Sequence, residues 1–208
     1  MFGLHLNLRL WIFVVLVIWA IIQGLFSSHY LFFDPDHYAF VQQRLVYVAN
    51  ASSILLHIGL GIVALMIGPV QFFQGLRKRC PKLHRVCGYV YFAAVLLGGV
   101  SALIFAPEAF GGVSNTAAFS LLALLWIGST IAAVISARRG QFAAHRQWMM
   151  RSYALTFAAA TLRLQLGLLI ASGLSFEQAY LIVPWSSWII NLIIVEWWLL
   201  SQKAALLR

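Results

Sequence analysis

The chain has 208 residues, 62% of them hydrophobic and only 9% charged, with a mean hydropathy of +0.90. Soluble domains carry about 45–50% apolar and about 25% charged residues, so this chain has too little polar surface to clothe a water-soluble globule. Disorder, a disulfide scaffold and a cytosolic enzyme are excluded, and the net charge of +9 reads first as membrane orientation rather than nucleic-acid binding.

A spanning helix needs ~20 mostly apolar residues. Six stretches qualify in chain order: Leu8–Phe26, Ser52–Phe73, Gly88–Phe105, Ala117–Ser136, Ser152–Ser172 and Val183–Leu200. They predict an all-α integral membrane protein, a six-transmembrane-helix bundle that forms one domain over residues 1–208. Span 1 has a basic flank in Arg9, as a signal peptide would. Its long apolar run and the lack of a clear A-x-A cleavage site favour a retained anchor.

The connections set the orientation. Arg77, Lys78, Arg79, Lys82 and Arg85 lie between spans 2 and 3, and Arg138, Arg139, Arg146 and Arg151 between spans 4 and 5. With Arg9, Lys203 and Arg208 they place twelve of the 14 basic residues on one side. The other side holds Arg44 with Asp34, Asp36, Glu108 and Glu177. By the positive-inside rule both termini are cytoplasmic, which implies a multi-pass membrane protein. Trp11, Trp148, Trp185 and Trp198 fall near span ends, as an interfacial aromatic belt requires. Cys80 and Cys87 share the first basic connection, in a reducing compartment, and read as free thiols.

The two basic connections resemble each other. LRKRCPKLHRVCGYVY and SARRGQFAAHRQWMMRSY each carry a basic residue followed seven positions later by His-Arg: Arg77 to His84, and Arg138 to His145. The pattern predicts that hairpins 2–3 and 4–5 are copies of one unit, with His84 and His145 at the same depth. Helical projection then selects the inward faces. On span 5 the stripe runs His145, Met149, Ser152, Thr156, Ala159 and Arg163; on span 2 it runs Asn50, Ser53, His57, Gly61, Ala64, Gly68 and Gln71. Span 3 aligns His84, Gly88, Tyr91, Val95, Gly98 and Ala102.

A charge in mid-span costs about 2.5–3.5 kcal/mol on insertion scales, so Arg163 must face protein or water. Glu196 is the acid inside span 6, and an Arg163–Glu196 ion pair is the expected arrangement, either as a packing device or as a relay.

His84 and His145 admit three readings: interfacial anchors, axial ligands of a b-type haem with Arg85 and Arg146 on its propionates, or an anion site. His57 lies in the outer half of span 2, where it would ligate a second haem or serve a quinone. His29, Asp34, Asp36 and His37 in the first outer loop are candidate ligands for a divalent metal, although a turn around Asp34-Pro35-Asp36 explains the same letters. There is no nucleophile elbow, phosphate loop or zinc-protease motif, so nothing points to a hydrolase or an ATPase.

DPDHY, HIGLGIVALMIGPVQFFQGLRKR, LHRVCGYVY and HRQWMMRSYALTFAAATLRLQ, with the Asn191–Glu196 segment, resemble an uncharacterised bacterial family of predicted membrane proteins. The resemblance runs from Phe33 to Glu196 and implies a six-span, multi-pass protein of the bacterial cytoplasmic (inner) membrane without supplying an activity. The family pattern falls on Asp34, Pro35, His57, Gly68, Pro69, Gln71, His84, Arg85, Gly88, His145, Arg146, Arg151, Arg163 and Glu196. Tyr89 stands where the pattern has an arginine, which removes an anion-binding side chain there. Small di-haem b-type membrane cytochromes offer an architectural analogy. The function expected from these residues is haem-based electron transfer with a quinone or a periplasmic partner. The alternatives are a non-enzymatic subunit or assembly factor of a larger membrane complex, and a small-anion carrier built on Arg163.

Overall fold

A computed structural model describes residues 2–32 and 41–205, and among them there are helices and turns but no strand. In hydrocarbon every backbone N–H and C=O must be satisfied within its own segment, and helices do this. Helix α1 covers Phe2–Ser28 and runs on through one 3-10 turn, His29–Phe32. A short α2 (Arg44–Ala49) leads into α3 (Ala51–Gln71), and a small basic α4 (Gln74–Arg79) precedes α5 (Pro81–Phe105). Pro81 suits the first turn of α5, because an N–H there would have no helical partner. Then follow α6 (Val113–Arg138), α7 (Phe142–Thr156), α8 (Ala158–Ala171) and α9 (Phe176–Ala205).

Six segments are long and apolar enough to cross a membrane: Phe13–Phe32, Ala51–Gln71, Pro81–Glu108, Val113–Arg138, Phe142–Ala171 and Phe176–Ala204. They correspond one for one to the six expected spans. The helices outrun the apolar stretches at their basic ends, however. The third begins at Pro81 rather than Gly88, and the fifth at Phe142 rather than Ser152. Those added turns carry His84 and His145.

Helix α3 packs along α5, α5 along α6 and α6 along α7, while α3 closes back on α7. The four make a ring in which α5 and α7 stand on one diagonal. The core at its centre joins Tyr91 and Val95 of α5, Trp126 and Ala133 of α6, Met149 and Leu155 of α7, and Ala64 of α3. Small residues permit the close approaches. Tyr153 of α7 lies on Gly68 of α3, where a methyl group would stand 2.2 Å from the ring. The Tyr153 hydroxyl donates to the Leu65 carbonyl at 3.2 Å.

The fifth span is two helices in series, broken at Phe157. Asn191 of α9 spans the break: its Nδ2 donates to the Ala154 carbonyl (3.0 Å), and its Oδ1 accepts from the Thr161 hydroxyl (3.1 Å). Beyond the break, α8 packs on α9 and lightly on α1, whereas α7 packs on α6, α9 and α3. The bundle is therefore tight at the basic end and opens between α3 and α8 at the other.

Candidate functional site

The basic end presents Arg77, Lys78, Arg79, Lys82, Arg85, Arg138, Arg139 and Arg146, all exposed. Beneath them stand the two histidines. Cys80 is the residue that precedes the first turn of α5, and the His84 amide bonds its carbonyl; Gln141 precedes the first turn of α7, and the His145 amide bonds its carbonyl. Each histidine is therefore the fourth residue of its helix, on helices that face each other across the ring. The connections before them differ: α4 intervenes in one, and a turn at Gly140, with φ +73, in the other.

The two imidazoles are near enough to interact electrostatically. His145 Nδ1 lies 2.9 Å from the Ala133 carbonyl. A carbonyl only accepts, so Nδ1 carries a proton, and in the neutral tautomer this contact selects the lone pair is on Nε2. His84 Nδ1 is buried with no hydrogen-bond partner, and so is Gln71 Nε2. The Gln71 side chain borders Gly88, one turn above His84; its Oε1 is 3.7 Å from where a glycine-replacing Cβ would stand. Buried polar atoms are nearly always bonded, so two orphans in one place mark an arrangement that a further group would complete.

Above this pair runs a chain of buried hydroxyls. Tyr91 Oη bonds Ser152 Oγ (2.8 Å) and Thr156 Oγ1 (2.7 Å), and Ser152 Oγ bonds Thr130 Oγ1 (2.6 Å). Trp126 Nε1 donates to Thr156 Oγ1 at 2.8 Å. These bonds tie α5, α6 and α7 together across the ring.

The expected Arg163–Glu196 pair does not form. Glu196 is held by Arg151, with Nε on Oε1 at 2.5 Å and Nη2 on Oε2 at 2.9 Å. Depth explains the correction. Arg151 stands nine residues after Phe142 and Glu196 nine before Ala205, so both lie ~14 Å from the basic ends of their helices. Arg163 is a further twelve residues, ~18 Å, along the span. The Arg151 guanidinium also sits over the Trp148 ring, 4.8 Å from its centre.

Arg163 does turn inward, into a cavity of about 270 Å³ between α3 and α8. His57 lines the same cavity, close enough to feel the Arg163 charge. His57 Nδ1 is 2.9 Å from the Gly98 carbonyl, which again leaves Nε2 as the free nitrogen. Phe105 and Trp126 meet the imidazole edge to face, at 5.6 and 6.4 Å between centres. No second histidine faces His57 here among the described residues, so its expected role as a ligand of a second haem lacks the other axial group.

Of the four proposed metal ligands in the first outer loop, Asp34, Asp36 and His37 lie outside the described residues. His29 bonds the Phe26 carbonyl through Nδ1 and packs against Phe26 and Tyr30. Among the described residues no group of three or more His, Cys, Asp and Glu is gathered as a metal site. Cys80 and Cys87 are free thiols.

Sequence reasoning overlooked Arg151 as the partner of Glu196, Asn191 at the helix break, and Trp126 and Thr130 in the hydroxyl chain. A longer helical reading of the fifth span would have found Arg151. The other three are set by contacts between helices and leave no local signal.

No curated protein and no solved structure matches the chain. A family model described as "Predicted membrane protein (DUF2306)" matches residues 54–199, which leaves the Asp34–His37 loop outside the matched region. The chain belongs to this family of predicted membrane proteins.

Proposed function

We propose that the protein is a membrane electron carrier in which His84 and His145 hold one b-type haem at the basic, cytoplasmic end of the bundle. The observation that carries this reading is the pair itself. Two histidines stand at the same helical register on diagonal helices, one with a proton held on Nδ1 by a carbonyl, the other with a buried Nδ1 that has no partner. A bare divalent ion such as zinc needs about four ligands, and no third His, Cys, Asp or Glu joins these two among the described residues. An iron already held by four porphyrin nitrogens needs only two more. Gly88 leaves room beside the pair, and the exposed Arg85 and Arg146, next in sequence to the histidines, are suited to bind propionates.

When bound, the haem would supply a one-electron couple. The chain's own part is to set the imidazole tautomers, through the Ala133 carbonyl for His145, and to keep lipid and water from the ring. The test is a reduced-minus-oxidised spectrum of protein purified in mild detergent after expression with haem supplied. A Soret band and a sharp α-band are expected, both lost in His84→Ala and in His145→Ala and kept in His57→Ala. A colourless protein, or haem retained in both single variants, refutes the reading.

A further inference from the structure

The cavity at the other end of the bundle is not explained by the histidine pair. Arg163 belongs both to this cavity and to a shallow groove between α1 and α8, lined by Trp19, Gln23, Phe26, Leu164, Gly167 and Leu168. Arg163 therefore borders both the interior and a face that, in a six-span bundle, looks onto lipid. Two polar atoms in that groove are orphans: Gln23 Oε1 and Trp19 Nε1 are buried and have no hydrogen-bond partner. Gln23 is only 7% exposed. Arg163 itself makes one hydrogen bond among the described residues, from Nη1 to the Ala159 carbonyl of its own helix, at 3.1 Å. A side chain placed at such cost in a span, with its remaining donors unused, points to a ligand.

We propose that this cavity binds the ring of a membrane-soluble quinone or quinol, which enters sideways from the bilayer between α1 and α8. The chemistry of the lining selects the class. The cavity offers a strong donor in Arg163, which suits a carbonyl oxygen of a quinone, and an acceptor in His57 Nε2, which suits a hydroxyl of the quinol form. The walls between them are aromatic, from Phe105, Trp126 and Tyr180, which suits a flat ring. At about 270 Å³ the space is near the lower end of ligand pockets, which run from roughly 300 Å³ upward, and it fits a ring better than a porphyrin. A single cation well inside the span does not resemble a phospholipid headgroup site, which would sit at the interface. The groove provides the exit for an isoprenoid tail: a methyl group added at Gly167 would meet nothing within 4 Å, and Leu164 and Leu168 flank it. The proposal does not require a haem at the opposite end.

The experiment uses the full chain in phosphatidylcholine nanodiscs free of quinone, with a short-tailed benzoquinone analogue carrying a photoreactive azide. Saturable labelling is expected in peptides of α3 and α8, with protection by unlabelled quinone. Arg163→Lys, which keeps the charge but loses the planar fork, weakens labelling at least threefold. Gly167→Leu, which fills open space without touching the core, reduces labelling as strongly, whereas Arg139→Gln at the exposed basic end leaves it unchanged. Labelling that does not saturate, that falls elsewhere, or that ignores both variants in folded protein overturns the proposal. Protection by anionic phospholipid and not by unlabelled quinone overturns it as well. None of these readouts depends on a Soret band, so the two proposals fail separately.

Discussion

Arg151 and Glu196 meet in a two-point fork between the fifth and sixth spans, at matching depths from the basic ends of their helices. Parallel N–H donors on two carboxylate oxygens fix the rotation of α9 about its own axis as well as its height against α7. The pair is partly exposed, with 22% and 44% of the two side chains accessible, so its energy is below that of a fully buried ion pair. Arg151→Ala and Glu196→Ala should each lower thermal stability in detergent. The double-mutant cycle should show coupling of about 0.5–2 kcal/mol. The same cycle run on Arg163 and Glu196 should give additivity. Coupling in the second cycle and none in the first would mean that the helices are paired differently.

Gly68 is set by the ring of Tyr153, which occupies the place of a side chain. Gly68→Ala should destabilise the bundle by about 1–3 kcal/mol through overpacking, since an aromatic ring wedged in a core has little freedom to move. Gly68→Ala combined with Tyr153→Leu should recover part of that loss. Unfolding followed by thermal denaturation measures both, and a neutral Gly68→Ala would contradict the packing.

Tyr91 is 1% exposed and its hydroxyl joins two others, on Ser152 and Thr156. Removing that oxygen leaves the remaining hydroxyls to find other partners in a dry site. Tyr91→Phe should cost about 1–3 kcal/mol. Tyr89→Phe, on the exposed face of the same helix, should cost almost nothing by the same melting assay. Equal effects would show that the hydroxyl chain adds nothing to stability.

Asn191 closes the break at Phe157 from the neighbouring helix. Asn191→Leu keeps the branched shape but removes both hydrogen bonds, and should destabilise by about 1–3 kcal/mol. It should also speed backbone amide exchange around Ala158–Thr161, read by hydrogen–deuterium exchange with mass spectrometry. Unchanged exchange there would mean that the break is intrinsic to α7 and α8.

The spans and their inward faces were legible in the residues, because lipid admits few solutions. Helical projection placed Tyr91, Val95, Ser152 and Thr156 on inward stripes, and all four are buried. The same projection turned Arg163 inward. Depth was harder to read. The polar first turns of α7, from Phe142 to Arg151, do not look like membrane helix, so counting from Ser152 set Arg163 too near the basic end and overlooked Arg151. The break at Phe157 has no Pro or Gly beside it to announce it. It comes with a side chain on another helix, and a one-dimensional reading does not contain that contact. Trp126 and Thr130 escaped for a related reason: α6 is apolar nearly all round, and its sequence does not say which side meets Tyr91 and Thr156.

The fork between Arg151 and Glu196 also joins residues that the chain makes far apart in time. Arg151 is synthesised 45 residues ahead of the carboxylate that receives it. While the fifth span is being made its acid does not yet exist, and an unpaired guanidinium loses hydration when it is packed into a partly buried site. The fork that fixes the height of the fifth span against α9 can therefore close only once the sixth is present. The contact that sets the height of the fifth span is thus one of the last that the growing chain can make.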